Sequence, residues 1–298
     1  MGHKACLTPI TDLLTGFIDR AETSSFAQSV TGLPTGFADL DEITAGLHPG
    51  QLIVLAGRPS MGKTALAMNI AEYVACVKGD PVAVFNMEMS KDNITMRALS
   101  SRAWTDARRL CAGRTHDDDW PRWCNAIKEL MNAPLFIAVS SENTVEKIRA
   151  DVVQLKQKQD VRLIVVDCLQ RMLHGDKPEE ITKIVRGLKT LAMELQLPVI
   201  LTSQLNKEID FRVDKRPKIS DLLHMGALGD DADLILFLYR HEIYYRDEVL
   251  YQDRDNLLGM AEVIIGKHRN GPLGSVRIRF FGEFVRFENG SRIIRPNR

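Results

Sequence analysis

The stretch that most constrains the fold reads Gly57-Arg58-Pro59-Ser60-Met61-Gly62-Lys63-Thr64. It follows a short apolar run, Leu52–Ala56, and precedes a stretch with helical periodicity. A GxxxxGKT motif that lies between a strand and a helix is typical of a phosphate-binding loop. A glycine turn that happens to contain a lysine would not need to lie between a strand and a helix. Backbone N–H groups and the helix N-terminus then surround the phosphates. The pattern predicts an ATP site, in which Lys63 supplies a point charge and Thr64 a hydroxyl for Mg²⁺.

Four more short apolar runs have the composition of strands buried on both faces: Val82–Met87, Leu135–Val139, Val161–Val166 and Val199–Thr202. Stretches with helical periodicity alternate with them: Lys63–Val77, Lys91–Ala103, Trp120–Met131, Val145–Gln157 and Glu179–Leu195. After Asp233 the pattern changes to Leu234–Tyr239, Ala261–Gly266, Ser275–Phe280 and Phe284–Phe287. The sequence predicts an α/β fold, with a mostly parallel central sheet flanked by helices and antiparallel hairpins at one edge.

Polar residues follow three of the predicted strands. Glu88 comes after the second strand, Asp167 after the fourth and Gln204 after the fifth. Taken alone, each is more simply a solvated strand end. Because ligands of open parallel sheets bind beyond the carboxyl ends of the strands, all three point at the crevice of the phosphate loop. Asp167 then suits the outer shell of Mg²⁺, Glu88 the attacking water and Gln204 the γ-phosphate.

A basic pair lies near the predicted hairpin tip, where Lys267 and Arg269 precede the turn signal Asn270-Gly271. Two residues apart on an extended segment, both side chains project to one side. They could donate positive charge to a phosphate, or simply form a basic sheet edge that discourages aggregation. The residues alone favour the second interpretation.

The acidic run Asp117-Asp118-Asp119 suggests either a metal site or a helix cap. It directly precedes Trp120-Pro121 and a periodic apolar stretch, so a cap at the start of a helix is the better interpretation.

Composition excludes several classes of protein. The 298 residues carry 39 basic and 39 acidic side chains, which argues against a protein that coats nucleic acid indiscriminately. The five cysteines form no CxxC pair, so neither a disulfide framework nor a zinc site is predicted. No apolar run approaches membrane-spanning length. We therefore expect a soluble, cytoplasmic protein.

An amphipathic helix is predicted near the start, where one apolar stripe consists of Ile10, Leu13, Leu14, Phe17 and Ile18. The polar segment that follows, Glu22–Thr31, is typical of a linker. The domain prediction is therefore residues 1–30 as linker helix and linker, and 31–298 as one large domain. The stripe could dock on its own domain or on a neighbouring subunit, and the sequence favours neither.

The motifs and their order resemble the motor domain of DnaB-type replicative helicases, which has a RecA-like fold. The matching stretches are Thr35–Asp41, Gly57–Thr64, Met87–Met89, Asp167–Gln170, Ser203–Asn206, Asp231–Asp233 and Gly266–Gly274. The Ser203–Asn206 and Lys267–Gly274 stretches are the most specific to this group. The stripe at Ile10–Ile18 resembles the linker helix of the family.

The resemblance implies a ring of six subunits that binds ATP and Mg²⁺ at each interface and unwinds DNA at the replication fork. Lys63, Thr64, Glu88, Asp167 and Gln204 would act within one subunit, and Lys267 and Arg269 would reach in from the next. Arg97 matches a position that contacts the nucleotide base in the family. Its alternative is an ordinary surface arginine.

The resemblance also implies partners. Single-stranded DNA would pass through the central channel, held by loops between Asn206 and Leu228, and a primase and a helicase loader would bind the ring. Candidate DNA contacts are Lys207, Arg212, Lys215, Arg216 and Gly226.

Two positions depart from the family pattern. Leu223-His224 stand where the family usually has Arg-Glu, which removes a charged DNA contact. Cys168 replaces the usual tyrosine after the metal-site aspartate. Two rival functions are a RecA-like recombinase or repair ATPase that forms filaments, and a nucleotide-switched assembly factor. The hairpin motif argues against the first, and the presence of both Glu88 and Arg269 argues against the second.

Overall fold

The computed structural model describes residues 10, 14, 30–106, 108–109, 112–113, 119–141, 143–173, 178–223, 225–245 and 258–290. Most of the predicted linker helix lies outside these residues. Its two described members, Ile10 and Leu14, are helical, and their side chains are 66% and 52% exposed. None of the helices in the described ranges is both long and apolar enough to cross a membrane.

One sheet organises the described part of the chain. Its nine strands lie in the order β3-β2-β4-β5-β1-β6-β7-β8-β9. The strands are β1 Leu52–Gly57, β2 Val82–Asn86, β3 Leu135–Val139, β4 Leu163–Asp167, β5 Val199–Gln204, β6 Leu234–Arg240, β7 Met260–His268, β8 Gly274–Phe281 and β9 Arg286–Asn289. Pairing is parallel from β3 to β6 and antiparallel from β6 to β9. The predicted fold class is confirmed.

Helices cover the parallel part of the sheet. The α-helices span Ala38–Thr44, Lys63–Glu72, Lys91–Ala103, Trp120–Asn132, Val145–Lys156, Pro178–Leu195, Met225–Asp231 and His241–Tyr244. The second continues as a π-helix over Tyr73–Lys78.

Two apolar cores lie on opposite faces of the sheet. In β1, Ile53 and Leu55 belong to one core, whereas Leu52, Val54 and Ala56 belong to the other. Because side chains alternate along a strand, a strand that is apolar at every position can serve both cores. That requirement explains the unbroken apolar runs in the sequence.

Two local predictions are wrong. The strand predicted at Phe284–Phe287 begins at Arg286, because Phe284 and Val285 lie in a turn closed by N–H groups that donate to Phe281 and Gly282. Asp119 occupies the N-cap position of its helix, but its side chain caps no N–H group. It pairs instead with Arg122 at 2.5 Å. Asp117 and Asp118 lie outside the described residues.

The parallel strands all have their carboxyl ends on the same side of the sheet. The phosphate-loop motif follows β1, which lies between β5 and β6, and Glu88 follows β2, which lies beside β4. The topology therefore places the predicted strand-end residues along one crevice.

Candidate functional site

The loop Gly57–Thr64 leaves the carboxyl end of β1 and enters the helix Lys63–Glu72. Gly62 has a φ of 98°, and a Cβ there would lie 3.0 Å from the ring of Phe287, so a residue with a side chain would be strained. The chain curls so that the Lys63 ammonium donates to the Arg58 carbonyl at 3.2 Å. Lys63 is thereby held against its own loop at a helix N-terminus, where anions are favoured.

A cavity of about 440 Å³ opens beside this loop, within the range of about 300–1,000 Å³ typical of small-ligand pockets. Its lining residues are Pro59, Ser60, Gly62, Lys63, Thr64, Ala65, Glu88, Arg97, Asp167, Cys168, Gln204, Arg240, Phe280 and Val285. The predicted strand-end residues Glu88, Asp167 and Gln204 are therefore brought together with the phosphate loop.

Three residues of the loop motif do not line the cavity: Gly57, Arg58 and Met61. Met61 is buried in the core. Arg58 points to the segment after β5, where its guanidinium pairs with Asp210 at 2.6 Å and donates to the Leu205 carbonyl at 3.1 Å. In this structure the side chains of Arg58 and Met61 thus support the loop from behind.

Asp167 is the most densely bonded acid of the cavity. Its carboxylate accepts hydrogen bonds from Thr64 Oγ1 at 2.9 Å, Thr202 Oγ1 at 2.5 Å and Asn86 Nδ2 at 2.9 Å. Burial raises the pKa of Asp167, and the hydroxyl groups of Thr202 and Thr64 oppose that shift. Asn86 and Thr202 were missed by the sequence reasoning. Their signal was a polar side chain inside an otherwise apolar, fully buried strand.

Glu88 also lines the cavity, and the Cys168 thiol donates to its Oε1 at 3.2 Å. Burial and the neighbouring Glu88 raise the pKa of Cys168 to about 12, so the thiol stays protonated and acts as a donor at neutral pH. The guanidinium of Arg171 lies 3.8 Å from the same oxygen. Cys168, which departs from the family pattern, is thus a direct partner of Glu88.

Lys63 and Gln204 complete the phosphate side of the cavity. Burial lowers the pKa of Lys63, and the negative charges of Asp167 and Glu88 oppose that shift. The Gln204 backbone N–H donates to Gln170 Oε1 at 3.1 Å, and Gln170 Nε2 donates to Ser203 Oγ at 3.2 Å. The end of β5 is therefore held in place by the turn after β4.

The remaining lining of the cavity includes Arg97, Arg240, Phe280 and Val285. The Arg240 guanidinium lies 4.2 Å from the Phe280 ring centroid and donates to the Ser60 carbonyl at 3.2 Å. Arg240 was also missed, although a basic residue that ends an apolar strand is a readable signal. Arg240 and Phe280 thus place a planar cation and an aromatic ring beside the phosphate loop.

Lys267 and Arg269 are absent from this cavity. Lys267 Nζ donates to the Gly229 carbonyl at 2.7 Å, and Arg269 pairs with Asp233 at 3.0 Å. Asp233 also accepts the backbone N–H of Leu52, the first residue of β1. The phosphate loop follows the carboxyl end of β1, whereas the basic pair lies beside the amino end of the same strand.

Three of the five candidate DNA-binding residues form ion pairs or hydrogen bonds within the chain. Arg212 pairs with Asp221 at 2.8 Å and Arg216 with Glu262 at 2.8 Å, while Lys215 donates to the Asp210 carbonyl at 2.7 Å. Lys207 and Gly226 are exposed. His224 lies outside the described residues.

Comparison with known proteins decides the family. The model of the DnaB-like helicase C terminal domain matches residues 32–289. The chain belongs to the DnaB-like helicase family. It is 42% identical over 270 residues to the replicative DNA helicase DnaB of Buchnera aphidicola subsp. Baizongia pistaciae, covering 89% of this chain and 57% of that relative. The chain thus spans little more than half the length of this relative.

Solved structures show the same relationship. A solved ATPase domain has a TM-score of 0.87 and 33% identity, with 95% of this chain and 99% of that chain covered. A DnaB-like replicative helicase, described with its interactions with primase, has a TM-score of 0.83 and 33% identity, with 97% and 68% covered. The RecA-like fold expected from the resemblance is therefore confirmed.

Proposed function

We propose that this chain is an ATP-hydrolysing motor that assembles into a homohexameric ring, moves along single-stranded DNA and unwinds duplex DNA at the replication fork. The observation that carries the proposal is the convergence of Lys63, Thr64, Glu88 and Asp167 on one cavity of nucleotide size. Family membership supports it, because the relatives are named replicative helicases.

The donor set of the cavity fits Mg²⁺. Thr64 Oγ1 and the Asp167 carboxylate lie 2.9 Å apart beside Lys63, and both are hard oxygen donors. Thr64 would hold the ion through its hydroxyl, and Asp167 would act from the outer coordination shell. When bound, Mg²⁺ neutralises negative charge on the β- and γ-phosphates. A site of this type needs few protein ligands because the phosphates supply the others.

Each side chain then has a distinct task. Lys63 supplies positive charge at the β- and γ-phosphates, and Glu88 orients and deprotonates the attacking water. Gln204 hydrogen-bonds to the γ-phosphate. Because Gln204 is the last residue of β5, release of the phosphate is felt by that strand. Arg97 also lines the cavity and would contact the base of the nucleotide.

The basic hairpin would complete the site of a neighbouring subunit. Arg269 and Lys267 lie at the sheet edge opposite their own phosphate loop, so they are badly placed to reach their own nucleotide. A head-to-tail ring joins two different surfaces of neighbouring subunits, so the amino ends of the strands in one subunit would face the phosphate loop of the next. Positive charge supplied in trans stabilises the transferring phosphate.

Two exposed apolar faces support self-association. The helix Trp120–Asn132 exposes Trp120, Ile127 and Met131, which are spaced to lie on one face. Ile10 and Leu14 are also exposed, one turn apart. We propose that residues 1–30 form a linker that docks on a neighbouring subunit, and residues 31–298 form the motor.

The remaining partners follow from the family. One solved relative is described with its interactions with primase. We propose that this chain also binds a primase, and that it binds a helicase loader in the cytoplasm. Single-stranded DNA would lie against the segment after β5, with Lys207 and Gly226 exposed towards it.

Unwinding of a forked duplex tests the proposed function. The wild-type chain should separate a fluorescently labelled fork only with ATP and Mg²⁺, and Lys63→Ala should abolish both unwinding and ATP hydrolysis. Lys128→Ala, which removes an exposed lysine far from the loop in sequence, is the matched control and should behave as wild type. Hydrolysis without strand separation on forks with either free arm would refute the helicase assignment. Normal hydrolysis by Lys63→Ala would refute the site.

A further inference from the structure

Two large apolar side chains are exposed to solvent on the segment that follows β5. Phe211 ends the 3₁₀-helix Lys207–Phe211 and is 88% exposed, and Val213 is 95% exposed. They flank Arg212, which the sequence had predicted as a DNA contact. In the structure the Arg212 side chain folds back on the protein, while Phe211 and Val213 point outwards.

Hydrogen bonds fix the backbone around these two side chains. Arg212 pairs with Asp221 and also donates to the carbonyls of Asp214 at 3.1 Å and Arg216 at 2.6 Å. The Tyr245 hydroxyl donates to the Val213 carbonyl at 2.7 Å. The Phe211 ring is therefore presented by a braced segment, which lowers the entropy lost when a flat partner stacks on it.

The same segment is tied to the phosphate loop. Asp210, the residue before Phe211, accepts two contacts from Arg58 Nε at 3.2 and 3.1 Å and one from Nη2 at 2.6 Å. The Tyr244 hydroxyl adds a bond at 3.0 Å. The Arg58 bond lowers the pKa of Asp210, so the carboxylate keeps its charge and the link persists at neutral pH. Phe211 thus lies directly after a residue that touches the back of the nucleotide-binding loop.

Charge indicates the kind of partner. The twelve residues 207–218 contain five basic and three acidic side chains. Arg212 and Arg216 are paired with carboxylates outside this segment, so its positive charge comes from Lys207, Lys215 and Lys218. Aromatic rings in positively charged surroundings are the usual platform for single-stranded nucleic acid, because every base has a π-face and every linkage a phosphate.

We propose that Phe211 stacks on a base of single-stranded DNA, with Val213 packing beside it, and that this apolar contact takes over part of the grip expected of charged residues. The inference rests on the proposed function, since it assumes that the chain binds a single strand. Lys207 and the braced basic residues then set the electrostatic surroundings, and Phe211 makes the contact with the base.

Fluorescence anisotropy of labelled oligo-dT, with the whole chain, Mg²⁺ and a non-hydrolysable ATP analogue, tests this inference. Phe211→Ala should weaken binding roughly 5- to 150-fold, the equivalent of losing one base–aromatic stack. Phe211→Trp should retain or improve the affinity, and Phe211→Leu should fall with the alanine variant. Met193→Ala, which shortens an exposed apolar side chain on the helix Pro178–Leu195, is the control and should bind as wild type.

Salt dependence separates stacking from phosphate contact. Phe211→Ala should lower the affinity without changing the slope of log affinity against log salt, whereas Lys207→Ala should reduce that slope by about one. Unchanged affinity of Phe211→Ala, or full affinity of Phe211→Leu, would overturn the stacking proposal. So would a change in assembly size without a change in DNA affinity, because Phe211 would then contact another subunit. Failure of the wild-type chain to bind oligo-dT would instead count against the proposed function.

Discussion

Arg269 forms an ion pair with Asp233 at 3.0 Å, and this pair lies at the edge of the sheet where β1 begins rather than where it ends. The phosphate loop occupies the other edge. One chain therefore contains both halves of a candidate hydrolytic site, but it holds them a strand length apart. We infer that two copies are needed to bring the halves together.

Glu88→Gln should leave ATP binding intact and slow its hydrolysis by about 10²- to 10⁴-fold, the usual contribution of a general base. The substitution keeps the size of the side chain and its capacity to accept from the Cys168 thiol. Turnover by phosphate release and affinity for a fluorescent ATP analogue measure the two effects separately.

If Glu88→Gln lost nucleotide affinity instead, Glu88 would have a structural role. Cys168→Ser is the companion variant. It keeps a donor for Glu88 and should preserve most of the turnover.

The location of the site was readable from the sequence, because strand, loop and helix patterns are local and strand ends meet at one edge. Lys63, Thr64, Glu88 and Asp167 required only that rule. Arg240 and Phe280 come from β6 and β8, which lie on either side of β7, so their stacking depends on tertiary packing that no local pattern encodes.

The basic segment after β5 shows a second limit of prediction from the sequence. Arg212 and Arg216 were candidate phosphate contacts because they are basic and lie in the loops between Asn206 and Leu228. Their partners Asp221 and Glu262 lie nine and 46 residues away, and only the folded chain brings the carboxylates within reach. A charge count therefore predicts a basic surface but not which cations are already paired.

Buried Glu72 should make stability depend on pH. Burial raises its pKa to about 7 against an ordinary value of 4.5, although the Ser101 hydroxyl and nearby arginines oppose the shift. Between these two values the folded chain holds a proton that the unfolded chain has lost. Stability contributed at this position is therefore present below about pH 4.5 and falls as the pH rises towards 7.

Glu72→Gln, which remains neutral, should remove this dependence. Its melting temperature relative to wild type should be higher at pH 8 than at pH 5. An equal difference at both pH values would show that Glu72 titrates normally in the folded protein.

Removal of residues 1–22 tests whether the amphipathic stripe docks between subunits. We expect the shortened chain to keep its far-ultraviolet circular dichroism per residue but to dissociate into smaller species by light scattering. Ile10→Ser with Leu14→Ser in the full chain should have the same effect, since both side chains are exposed on the isolated subunit. Thr8→Ser with Thr11→Ser is the control. An unchanged assembly would place the stripe on its own domain.

The central claim, that ATP is hydrolysed between two subunits, is tested most directly by mixing Arg269→Ala with Glu88→Gln. Each variant alone should bind ATP yet hydrolyse it poorly, because every interface lacks one of the two groups. In mixed rings some interfaces join an intact Glu88 to an intact Arg269. Since a charge supplied in trans is worth roughly 10³- to 10⁵-fold in rate, hydrolysis should then rise well above that of either variant. No rise at any mixing ratio, with mixed rings verified by mass, would contradict the account.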